Sequence, residues 1–154
     1  MIQAYRLAHS QFISDLAGTG AALYGGRWNR VDKPCLYCSQ HLSLAVLEKL
    51  AHAQKANDLV RLGMLHLTIE DPDWLYWIDP GKLKANWKTQ ENYTQWLGSQ
   101  ILDETGYVGF VAPSVIIENE FDIVLNPKSE LFVKLQIKTA VAFELDKRIT
   151  GKWS

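Results

Sequence analysis

Hydrophobic positions along this chain change period several times, and each change marks an element. Alternating apolar residues read as a half-buried strand, and apolar residues three and four apart read as a helix. Ile2 to Leu7 predicts a first strand with Ile2, Ala4 and Arg6 on one face. Gln11 to Leu16 fits a short helix or a turn, and Gly18-Thr19-Gly20-Ala21-Ala22 a mobile or tightly turned loop. Cys35 to Cys38 follows the turn Asp32-Lys33-Pro34 as a short strand. Leu42, Ala45, Val46, Lys49, Leu50 and Ala53 then recur at helical spacing. They predict a helix over 42–56, buried on more than one side and capped by Ser39 or Ser43.

Met64 to Ile69 alternates again, as a strand with one wetter face. Asn92 to Glu104 predicts a second helix, with Gly106 at its end where a left-handed residue is expected. Tyr107 to Ala112 and Phe121 to Leu125 are strands, and Val115-Ile116-Ile117 resumes after Pro113, which marks an edge, a bulge or a turn. Leu131 to Ile137 and Val141 to Leu145 read as a closing hairpin or as successive strands. There is no internal repeat. The order predicts one α+β domain over 1–154, with central mixed or antiparallel strands and helices between them.

Composition narrows this picture. Of 154 residues, 47% are hydrophobic and 21% charged, which suits a globular domain with one core. A net charge of -1 argues against direct nucleic-acid binding through a basic surface. No apolar run reaches the roughly 20 residues that cross a bilayer, and the N-terminus lacks the pattern of a secretion signal. The expected compartment is the cytoplasm, with no membrane partner.

Candidate chemistry centres on Gly25-Gly26-Arg27-Trp28-Asn29. Two glycines allow a tight turn and a close approach to a ligand, and the arginine fork suits a phosphate or carboxylate. The stretch reads as a ligand loop or as a turn with a buried Trp. Glu48 lies among Leu44, Ala51 and His52 on its helix. It reads as a rim carboxylate paired with Lys49 or Lys55, or as a carboxylate aimed into a cleft. Ser114 faces a ligand or caps a turn. Trp74, Tyr76 and Trp77 suit core or lid packing better than base stacking. The lone C-x-x-C of Cys35 and Cys38 lies on a strand, where side chains three apart diverge, so small buried side chains are expected rather than a redox pair or a metal site.

Tyr5-Arg6, the Gly-Gly-Arg-Trp-Asn loop, Pro34 to Ser39, Ser43 to Glu48, Pro113-Ser114, Asn126-Pro127 and Phe143 to Arg148 together resemble the RES domain, in order and over nearly the whole chain. The resemblance implies a fold similar to ADP-ribosyltransferases and a bacterial toxin that acts on NAD as its substrate, with no resident cofactor. It implies a partner, an Xre-type helix-turn-helix antitoxin, and a homo-oligomer or a hetero-oligomer with that antitoxin. By residue it implies Arg27, Tyr37 and Glu48 as the catalytic trio, with Arg6, Tyr24, Gly26, Trp28, Asn29 and Ser114 as NAD-binding positions and no metal ligand. The expected reaction is cleavage of the nicotinamide–ribose bond by hydrolysis or phosphorolysis; the alternatives are ADP-ribosylation of a specific protein and a non-catalytic partner-binding module.

Overall fold

Eight strands make one curled mixed sheet in the computed structural model, which describes residues 1–153. In chain order the elements are β1 (Ile2–His9), α1 (Thr19–Tyr24), β2 (Leu36–Ser39), α2 (Leu42–His52), β3 (Leu62–Ile69), β4 (Leu75–Trp77), α3 (Glu91–Leu102), β5 (Gly109–Pro113), β6 (Phe121–Leu125), β7 (Gln136–Ile137), β8 (Val141–Phe143) and α4 (Lys147–Thr150). The sheet order is β4-β5-β6-β2-β1-β3-β7, with β8 also on β3. Every pairing is antiparallel except β4 with β5. The expected single α+β domain is what this architecture provides.

Register assigns the two faces, because side chains alternate along a strand. Leu36 pairs with Leu125 and Cys38 with Ile123, so these four share one face. They belong to a core with Ala4, Ala8, Leu65, Leu67 and Ile69. Tyr37 pairs with Val124, which pairs with Phe110, on the opposite face. That face carries the second core, where Trp28, Trp87, Ile101 and Leu102 cover the strands. The two cysteines follow this division: Cys38 packs in the first core and Cys35 in the second.

Several boundaries differ from expectation for local reasons. α2 ends at His52, because Asp58 Oδ2 accepts the Gln54 and Lys55 N–H groups and starts a new 3-10 turn over Ala56–Leu59. Only Leu44 and Ala45 are buried in α2, so it is less enclosed than its leucines suggest. The stretch expected as a loop at 18–22 begins a helix instead: Gly18, at φ 72°, takes the left-handed turn, and Ala21 and Ala22 continue as helix formers. Gly106 is not left-handed, since α3 stops four residues earlier and Asp103 still has helical angles. Val115-Ile116-Ile117 forms no strand. Pro113 is the last residue of β5, paired with Phe121. β7 and β8 each pair with β3 rather than with one another, so the C-terminal strands are successive, not a hairpin. β4, three residues long, was too short to stand out in the pattern.

Candidate functional site

The glycine–arginine loop is built from its backbone outwards. Gly25 has φ 70°, and Gly26 N–H donates to Asn29 O at 3.1 Å, closing a tight turn that presents Arg27 and Trp28. α3 holds this turn from outside: Thr94 Oγ1 donates to Arg27 O at 2.6 Å, Gln95 Nε2 to Gly26 O at 2.9 Å, and Arg30 N–H to Ser99 Oγ at 3.0 Å. The Trp28 indole is 1% exposed and packs against Trp87 and Phe110, with ring centroids 5.7 and 6.3 Å away. Asn29 is fully buried, and its Nδ2 donates to Ala21 O and Lys33 O at 2.8 and 2.9 Å. Both residues were expected to contact NAD. In the structure their polar atoms and ring faces are used inside the protein, and they support the loop.

Arg27 keeps its side chain at the surface of that turn. Its Nη1 donates to Lys88 O at 3.0 Å. Among the described residues no carboxylate forms an ion pair with it, so the remaining donors of the fork face outwards.

Tyr37 links this loop to the sheet. Its hydroxyl donates to Asn29 Oδ1 at 2.6 Å and accepts the Trp28 N–H at 2.9 Å. Burial, with the neighbouring Cys35, pushes the phenol far above its usual range, so it remains a donor. Gly26 is required beside it: a Cβ there would stand 2.7 Å from the Tyr37 hydroxyl. Replacing Tyr37 by Phe strands a buried N–H and a buried amide oxygen. Each costs about 1–3 kcal/mol, so Tyr37→Phe is expected to lose about 2 kcal/mol of stability or more, measured by urea denaturation. An unchanged midpoint would show that the hydroxyl is not a structural clamp.

Two residues further along β2, and so roughly 7 Å away on the same face, lies Ser39. It pairs with Tyr5 on β1 and Asp122 on β6, and Tyr5 pairs with His66 on β3. His66, Tyr5, Ser39 and Asp122 therefore form one lateral polar row across four strands. Ser39 Oγ donates to Asp122 Oδ1 at 3.0 Å, and the Tyr5 and His66 rings stack with centroids 4.7 Å apart.

Glu48 comes down onto the end of this row from α2. Ser114 Oγ donates to Glu48 Oε1 at 3.2 Å. Ser114 itself is 2% exposed and is fixed by accepting the Ile116 and Ile117 N–H groups at 3.0 and 3.1 Å. The pairing of Glu48 with Lys49 or Lys55 does not form. Burial and the Glu48 charge push Asp122 up to about 8.

Of the expected site residues, the structure brings Gly26, Arg27 and Tyr37 together at one end of this face, and Glu48 with Ser114 at the other. Tyr24 is 84% exposed at the end of α1. Arg6 pairs with Leu65, between Ala4 and Ala8, and so points to the opposite face from Tyr5 and Ser39; its Nε is buried without a hydrogen-bond partner. Asp122 and Ser39 went unread as site residues, although an acid inside Phe-Asp-Ile-Val-Leu was a visible signal. Cys35 and Cys38 are free thiols, each pushed up to about 12 by burial, which leaves neither reactive. A surface concavity of about 310 Å³ lies at His9, Phe12, Lys49 and His52 and is lined by none of the trio. Among the described residues no helix is long and apolar enough to cross a membrane.

Comparison with known proteins gives the family. The RES domain family model matches residues 3–146. A relative called toxin Res, from Photorhabdus laumondii, is 32% identical over 149 residues, covering 94% of this chain and 95% of its own. Another toxin Res, from Yersinia enterocolitica, is 29% identical over 149 residues, covering 94% and 97%. A Sphingobium protein called Prs ADP-ribosylating toxin is 30% identical over 119 residues, 73% of each chain. A chain in the crystal structure of the M. tuberculosis MbcT–MbcA toxin–antitoxin complex superposes with a TM-score of 0.74 at 16% identity, covering 99% of this chain and 88% of that one. The fold is thus shared with that chain.

Proposed function

The chain belongs to the RES domain family, and on that premise we propose that it is the toxin of a toxin–antitoxin pair and cleaves the nicotinamide–ribose bond of NAD. The observation that carries this reading is the Glu48 carboxylate, held by Ser114 on the sheet face that also carries Tyr37 and the Arg27 turn. Nicotinamide leaves NAD as a neutral ring, so the reaction needs no strong acid. Positive charge develops on the ribose instead, as in glycoside cleavage. A fixed carboxylate beside the sugar stabilises that charge more in the transition state than in bound NAD. The outward Arg27 fork suits the pyrophosphate. Tyr37, with its hydroxyl anchored, has a ring of fixed orientation against which nicotinamide can stack.

The acceptor separates two readings. Water or phosphate as acceptor makes the protein an NAD-degrading enzyme. A protein side chain makes it an ADP-ribosyltransferase, a reading favoured by the name of the Sphingobium relative. Incubation of the purified protein with NAD labelled in the adenylate half, with and without phosphate, distinguishes them. Free ADP-ribose or its phosphate, released with nicotinamide, is the expected product. Label retained on protein would move the assignment to the second reading, and no loss of NAD would overturn both. The toxin–antitoxin setting of the structural neighbour supports an antitoxin partner. We infer an Xre-type helix-turn-helix protein that covers the Arg27 turn and Glu48. A complex in which both stay open to solvent would contradict that partner's mode of action.

A further inference from the structure

The diphosphate of NAD carries two negative charges, and the Arg27 fork meets them with one positive charge. Arg6 does not add a second. It pairs with Leu65 on β3 and lies on the sheet face opposite Tyr5 and Ser39. Lys49 lines the concavity at His9 and Phe12, which holds none of the trio. A second cation has to come from the elements packed on the Arg27 turn.

The 3-10 turn Trp87–Thr89, just before α3, carries one. Arg27 Nη1 donates to Lys88 O at 3.0 Å, so the guanidinium lies directly against this residue. Trp87 anchors the turn: it is 9% exposed, and its ring centroid is 5.7 Å from that of Trp28, the neighbour of Arg27. Lys88 is exposed, with Nζ over the Trp87 ring, 6.0 Å from its centroid. Among the described residues neither Arg27 nor Lys88 forms an ion pair, and neither does Glu91 in the first turn of α3. A lysine is a compact charge on a flexible stem, so its ammonium can swing to a phosphate beside the fixed fork. Lys84, in the same segment, is committed elsewhere: its Nζ stands 4.7 Å over the Tyr93 ring.

Resting on the NAD reading, we propose that Lys88 is a substrate-binding residue that clamps the NAD diphosphate together with Arg27. The pair sets the direction of the dinucleotide. The nicotinamide half runs from the clamp along the sheet face towards Tyr37 and Glu48, and the adenylate half leaves over the Trp87–Thr89 turn. Both phosphates keep their charge throughout the reaction, so this contact is as strong in bound NAD as in the transition state. It therefore acts on affinity and leaves the chemical step alone.

The test is Lys88→Ala. Arg27 holds the main-chain oxygen of residue 88, which the substitution keeps, so the turn and the melting curve should be unchanged. KM for NAD is expected to rise about 10-fold, the worth of one charge-assisted hydrogen bond at a surface, with kcat within about threefold of the natural protein. KM should also become less sensitive to salt, because one screened attraction is gone. Lys88→Arg keeps the charge and should recover KM. Lys84→Ala is the control and should leave KM as it is. An unchanged KM in Lys88→Ala, a loss confined to kcat, or an equal rise in Lys84→Ala would each overturn the proposal.

Binding of ADP-ribose, which retains the diphosphate, is read by calorimetry without any turnover. Lys88→Ala is expected to bind it about 10-fold more weakly than the natural protein. Equal binding by the two, in a protein that consumes NAD, overturns this inference alone. Weaker binding by Lys88→Ala, in a protein that releases no nicotinamide from NAD, overturns the functional premise while the diphosphate clamp stands.

Discussion

Glu48→Gln is expected to reduce nicotinamide release at saturating NAD by about 100-fold or more, the range seen when a group fixed on developing charge is removed. The substitution is nearly isosteric. Its amide oxygen can still accept from Ser114, so α2 should remain seated and the melting curve close to that of the natural protein. What disappears is the negative charge, and that charge acts only as the ribose becomes cationic. The loss should therefore appear in kcat rather than in KM. Expression of Glu48→Gln should accordingly no longer arrest growth. Turnover within about threefold of the natural protein would remove Glu48 from the mechanism, whatever its place in the structure.

How much of this was legible in the sequence depends on the range of the physics involved. β1, β3, α2 and α3 announced themselves through periodicity, because burial of one face imposes a spacing that a single chain displays. Glu48 stood out for the same reason: a carboxylate among apolar helical neighbours requires an explanation. Trp28 and Asn29 sit in a stretch whose sequence supports two readings, a ligand loop and a turn with a buried Trp. Local sequence marks a special loop, yet it cannot say whether an indole faces a ligand or Trp87 and Phe110, which lie 59 and 82 residues further along. Asp122 shows the same limit in the other direction. Its strand was recognised, but its meaning depends on Ser39, 83 residues away, and on Glu48. Only the register of β2 against β6 brings Ser39 and Asp122 together, and only the packing of α2 adds Glu48. α1 and β4 escaped because short elements carry too few positions to establish a period.

The support of the Arg27 turn leads to the largest expected loss of stability, at a residue with no chemistry of its own. Helix propensity alone favours Gly98→Ala by about 1 kcal/mol, since Gly98 lies inside α3. Packing reverses the sign. A Cβ on Gly98 would stand 1.8 Å from Trp28 O and 2.8 Å from its carbonyl carbon, and both are backbone atoms that no rotamer change can move aside. Relief requires α3 to back away from the turn. That movement stretches the bonds from Thr94 to Arg27 O and from Gln95 to Gly26 O. It also opens the contact of Trp28 with its core. Overpacking of this kind costs about 3 kcal/mol or more, which corresponds to a melting temperature lower by roughly 10 °C in a domain of this size. Gly106→Ala is the control, because no atom lies within 4 Å of its added Cβ. Scanning calorimetry of the two variants decides the matter: a Gly98→Ala protein as stable as Gly106→Ala would mean that α3 does not clamp the turn. If the clamp is real, the folded fraction of Gly98→Ala should also bind NAD more weakly, because the Arg27 fork moves with its carbonyl.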